Sequence, residues 1–121
     1  MGDAKNDSYE AHSQEVPATP LSLYIDKPVD LLKIDIEGAE NLVLEELSQS
    51  GKLKFVKQII LEYHHHMVDV NDDSLAGILK IFEDNGFGYQ FNYVELAVPE
   101  KKNRNVLILY VYNKEFIQLT Q

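Results

Sequence analysis

Cysteine is absent from the 121 residues of this chain, which excludes disulfide scaffolds, thiolate zinc sites and cysteine nucleophiles. No apolar run approaches the roughly 18 residues of a membrane span. Residues 1–19 are polar and acidic with no apolar core, so they do not read as a signal peptide. A soluble, cytoplasmic protein is expected. Positive charge is scarce: 11 basic residues face 20 acidic ones, for a net charge of −9. A phosphate-backbone partner needs clustered Lys and Arg, and the one basic cluster, Lys101-Lys102-Asn103-Arg104, is short and reads as a solubilising hairpin tip. Neither a nucleic-acid nor a membrane partner is expected. Glycine is also sparse, and Gly2 is the only one before Gly38.

What is present is globular. Hydrophobic residues make up 45% of the chain, and a chain this long suits one domain that buries roughly 65% of its unfolded surface. Residues 1–19 carry only Tyr9 and Val16 as larger apolar side chains and are expected to be a disordered lead-in. The folded part is expected over residues 20–121. Leu21–Ile25 is a short apolar segment whose spacing fits a brief helix or a strand equally well.

The chain is organised around Leu31–Glu40. Leu32, Ile34 and Ile36 alternate with Lys33, Asp35 and Glu37, the period of a strand, here about Asp30 to Glu37. Gly38 breaks the pattern and a helix follows from Ala39 to Ser50, with Ala39, Leu42, Val43 and Leu47 at helical spacing. Gly51 sits where a left-handed cap belongs. A second apolar run, Phe55 to Tyr63, completes a strand–helix–strand unit whose short links imply a right-handed parallel crossover. Asp72 or Asp73 is the expected cap of a second helix, in which Leu75, Ile78, Leu79 and Phe82 form a stripe. Tyr89, Phe91 and Tyr93 then alternate with polar residues, and Val106–Tyr112 is the most apolar strand. The connection between them, Glu95 to Asn105, is short for a crossover, so these strands are expected to pair antiparallel.

In open α/β sheets ligands bind beyond the carboxyl ends of the strands, where Asp35 and Glu37 fall. A strand feeding a crossover usually carries helices on both faces, and charges within it need partners or a function. On that ground Lys33, Asp35 and Glu37 are candidates, the plain alternative being a solvated face. Glu62 ends the next strand and His64 lies two residues on, on the same face if the strand continues. A carboxylate and an imidazole there suit a general base or a metal ligand. Three consecutive histidines cannot all point one way from a strand; at most His64 and His66 converge, so no three-histidine metal site is expected. Glu40, in the first turn of the helix, has the ordinary role of complementing the helix dipole. Gly86-Phe87-Gly88 follows a helix and is not a phosphate cradle.

VDLLKIDIEGAENLVLEEL, then IILEYHH, then a helix ending in an NGF-type turn, resembles the FkbM family of methyltransferases over about residues 20 to 112. The ordered set Lys33, Asp35, Glu37, Gly38, Glu40, Glu62 and His64 carries the likeness. It implies a Rossmann-like class I fold with sheet order 3-2-1-4-5-7-6 and strand seven antiparallel. This chain would supply strands 4-5-7-6 of an α/β domain, with helices packed on the sheet. It also implies S-adenosylmethionine as cofactor, O-methylation of a hydroxyl on a sugar or other small molecule, and Asp35, Glu37, Glu62 and His64 as catalytic residues. The family's glycine-rich cofactor loop and the acidic residue that holds the ribose both precede the KIDIEG motif, and neither has a counterpart here. The reading is therefore a C-terminal half, truncated and inactive alone, whose first strand becomes an edge that invites pairing. A homodimer, or a complex with a separate N-terminal half, is expected. Two other readings stay open: a non-catalytic assembly module that pairs through that edge, and a metal-binding protein using Asp35, Glu62 and His64.

Overall fold

The computed structural model describes residues 13–36, 38–64, 74–92 and 106–117. Its frame is a four-stranded sheet in the order β1-β2-β4-β3, with β1 at Leu32–Ile34, β2 at Gln58–His64, β3 at Phe87–Asn92 and β4 at Val106–Asn113. Helix α1, Glu40–Gln49, connects β1 to β2, and α2, Leu75–Asp84, lies between β2 and β3. β1 and β2 run parallel, while β4 is antiparallel to both β2 and β3. Leu21–Tyr24, for which the sequence allowed a helix or a strand, forms a 3-10 turn.

Alternation sets the register. Along β2, Ile59, Leu61 and Tyr63 are buried, while Ile60, Glu62 and His64 face the other way and are half-buried. Leu109 and Val111 of β4, Ile34 of β1 and Phe87 of β3 join the buried side. Leu44 and Leu47 of α1 and Ile78 and Phe82 of α2 close over them, so both helices cover one face of the sheet. Burying each such side chain contributes about 1.5–3 kcal/mol. A one-residue slip of β2 would forfeit three of them and push Glu62 and His64 into the core, so only one register is tolerated.

Several expectations are corrected. The first strand is shorter than Asp30–Glu37: regular pairing covers Leu32–Ile34, preceded by an isolated bridge from Val29 to Val56, because among the described residues β1 has a neighbour on one side only. Its charges do not lie between two helical layers. Among the described residues no helix covers the second face, so Lys33 and Asp35 are exposed. In α1 the inward stripe is Glu40, Leu44 and Leu47. Leu42, expected inside, is 69% exposed. The position preceding α2 belongs to Ser74, whose side chain makes no capping bond; Asp72 and Asp73 lie outside the described residues. The hydroxyl of buried Tyr63 accepts the Ser74 N–H at 3.1 Å instead, tying the end of β2 to the start of α2. The expected stripe of α2 does face the core, and Gly51 and Gly86, with φ of +78° and +81°, end the two helices.

Asn113, at the end of β4, is buried and fully satisfied. Its amide donates to the carbonyls of Lys54 and Val56 at 3.2 and 3.0 Å and accepts the Glu115 N–H at 3.1 Å. β1 forms one edge of the sheet. Beside it runs a groove of about 320 Å³ lined by Thr19, Leu21, Leu32, Lys33, Ile34, Ile36 and Val43.

Candidate functional site

The parallel pairing of β1 with β2 brings Ile34 opposite Leu61. One step further along both strands, Asp35 comes level with Glu62. Glu62 and His64, two residues apart on a continuous strand, share the face that Lys33 and Asp35 occupy. Single donor atoms from Asp35, Glu62 and His64 all lie within 4.8 Å of one another. Three of the four predicted catalytic residues are thus gathered at the carboxyl ends of adjacent strands. The fourth, Glu37, lies outside the described residues, as do His65 and His66.

The structure adds a residue that sequence reasoning had given a lesser role. Glu40 is 1% exposed, in the first turn of α1. Gly38, at φ 107°, turns the chain sharply enough for its N–H to donate to Glu40 Oε2 at 2.8 Å. The same carboxylate meets His64 twice: Oε2 lies 3.2 Å from ring Nδ1, and Oε1 accepts the backbone N–H at 3.4 Å. With an anion on Nδ1, that nitrogen carries the proton and donates. The other nitrogen, Nε2, lies 3.7 Å from Asp35 Oδ1. One signal for Glu40 was available: residues 40, 44 and 47 form an i, i+4, i+7 stripe, and a charged residue on a buried stripe requires a partner.

Electrostatics couple the two acids. The hydrogen bond between Glu62 and Asp35 raises the pKa of the Glu62 carboxyl, and partial burial and the charge of Asp35 push it further up. His64 and Lys33 oppose the shift. Lys33 thus acts on the site as a background positive charge, not as a contact. The result is a pair of neighbouring carboxylates facing an imidazole held by Glu40, a group suited to accept a proton from a bound hydroxyl.

A family model for the methyltransferase FkbM domain matches residues 2–89, well over half of the chain. The chain belongs to the FkbM methyltransferase family. The match begins further upstream than the expected likeness and stops within β3, so β4 lies beyond it. Asp35, Glu40, Glu62 and His64 all fall inside. Comparison with curated proteins and with solved structures returned no match. FkbM domains are generally dependent on S-adenosylmethionine. Among the described residues, Gly38 is the one glycine at a strand-to-helix turn, and its N–H is already bonded to Glu40. The described residues therefore offer no backbone cradle for the amino-acid end of that cofactor.

Proposed function

We propose that this chain forms the acceptor side of an FkbM O-methyltransferase, acting on a hydroxyl of a sugar or related small molecule. One observation carries the reading: buried Glu40 holds His64 so that its Nε2 lies 3.7 Å from Asp35, with Glu62 in the same cluster, at the strand ends where such a site belongs. In this arrangement Asp35 and Glu62 bind the acceptor hydroxyl, and the cluster takes its proton as the oxygen becomes a nucleophile. Glu40 positions His64 and stabilises it when charged. The cofactor, where bound, supplies the electrophilic methyl group. On this reading β1, β2, β4 and β3 stand for strands four, five, seven and six of the class I sheet. The single antiparallel strand between two strands of common direction supports that alignment.

Because the described residues lack a cradle, the chain is proposed to be inactive alone and to work with a second copy or a separate cofactor-binding half. The groove along β1, together with exposed Leu31 and Ile36 beside it, supports pairing at that edge. Calorimetric titration with S-adenosylhomocysteine tests the cofactor side. No heat is expected from the chain alone, whereas micromolar binding would overturn the incomplete grip. Proton NMR of the His64 ring tests the acceptor side. Simple hydroxylated sugars at millimolar concentration are expected to shift its signals, and silence with all of them would sink the acceptor assignment.

A further inference from the structure

We infer that Asp35, Glu62 and His64 form a binding site for a divalent transition-metal ion of the Mn²⁺ or Zn²⁺ class, with buried Glu40 orienting the histidine. The donor set is the first argument. Two carboxylates and one imidazole suit ions intermediate between hard Mg²⁺ and the thiolate-seeking metals. Spacing is the second. Donors about 2.1 Å from an ion lie roughly 3–4 Å from one another, and the three donor atoms here lie within 4.8 Å. Asp35 is 41% exposed, so its side chain has room to rotate and close the remaining gap.

The third argument is independent of the acids. A ligating histidine characteristically donates its far N–H to a carboxylate, which sets the tautomer and raises the basicity of the ligating nitrogen. His64 has that partner in Glu40, at 3.2 Å from Nδ1. Glu40 is in turn held by the Gly38 N–H at 2.8 Å, so the orienting group is itself immobilised. The His64 side chain is only 11% exposed, and its Nε2 lies 3.7 Å from Asp35 Oδ1. A cation there would offset the repulsion between the two neighbouring carboxylates. At such an ion a hydroxyl or water becomes more acidic. The site makes no use of the cofactor, so it stands or falls apart from the methyl-transfer reading.

The test is a titration of the metal-stripped full chain with Mn²⁺ alone, followed by the loss of the free-ion EPR signal, and with Zn²⁺ by calorimetry. One ion per chain is expected. Asp35→Asn, at an exposed position that spares the fold, is expected to weaken binding at least 10-fold. Glu40→Gln keeps the shape but removes the charge behind His64, and a loss of roughly 10- to 100-fold is expected. Asp84→Asn, at an exposed helix pair with Lys80, is expected to change nothing. His65→Ala with His66→Ala controls for the neighbouring histidines and is expected to retain the ion. No binding by the folded parent chain overturns the site. So does binding that survives Asp35→Asn, or binding that disappears only with the histidine double variant. No cofactor or acceptor is present, so failure here leaves the methyltransferase reading standing.

Discussion

At the scale of single residues, the contrast between Glu40 and Glu62 is instructive. Both are glutamates near the carboxyl ends of β1 and β2, yet their surroundings differ in kind. Glu40 is enclosed and receives N–H donors from Gly38 and His64; hydrogen bonds to a charged group contribute about 1.5–3 kcal/mol each. Glu62 faces another acid, and its pKa is raised chiefly through the hydrogen bond with Asp35. A carboxyl whose pKa is raised on folding stabilises the native state below its unfolded pKa. That contribution disappears as pH rises through the folded value. Replacing Asp35 by Asn removes a negative neighbour and supplies an amide donor for ionised Glu62. In metal-free protein, carbon-13 titration is expected to show the Glu62 pKa falling back towards the ordinary carboxylate range. The variant is also expected to gain stability over the parent as pH rises through the former window. An unmoved Glu62 titration would break the assigned coupling.

At the scale of elements, polar ties at strand ends do work that the apolar stripes cannot. Tyr63 joins β2 to α2 through Ser74, and Asn113 joins β4 to the 3-10 turn at Leu53–Phe55 that leads into β2. Asn113→Leu would leave the Lys54 and Val56 carbonyls and the Glu115 N–H without this partner. An unfolding titration in urea is expected to show a loss of about 2–3 kcal/mol, since unpaired buried groups cost about 1–3 kcal/mol. A loss below about 0.5 kcal/mol would show that water replaces these bonds without penalty. Helix identity was legible at this scale from periodicity alone, and the stripe of α2 matched the core. The face of α1 was not. Leu42 is apolar but meets no neighbouring layer, while Glu40 turns inward because His64, 24 positions along the chain, is there to receive it. Periodicity counts apolar residues and is blind to a partner supplied by another strand.

At the scale of the whole molecule, the helices among the described residues cover one face of the sheet. On the other, Ile60, Ile108, Tyr110 and Tyr112 are only half-buried. One edge, β1, is short and flanked by exposed apolar side chains. Among the described residues nothing pairs with its outer side; an edge of that kind pairs readily, and size-exclusion chromatography with light scattering is expected to give a dimer mass at micromolar concentrations. A monomer mass across a wide concentration range would remove self-pairing from the proposal. Among the described residues no helix is long and apolar enough to cross a membrane.

Local chemistry alone determined much of this. Alternation produced the strands, the i, i+3, i+4, i+7 stripe produced α2, and glycines able to take positive φ placed the helix ends. The ordered acidic and histidine positions pointed to the family. These features depend on residues near one another in the chain, so they can be read along it. The tertiary structure decided what depends on distant partners. Parallel register put Asp35 level with Glu62, and the enclosure of Glu40 against His64 set which ring nitrogen faces Asp35. The one-sided packing of the helices left Lys33 and Asp35 in solvent. Each of these follows from which strand lies beside which, and hydrophobic periodicity does not specify that order.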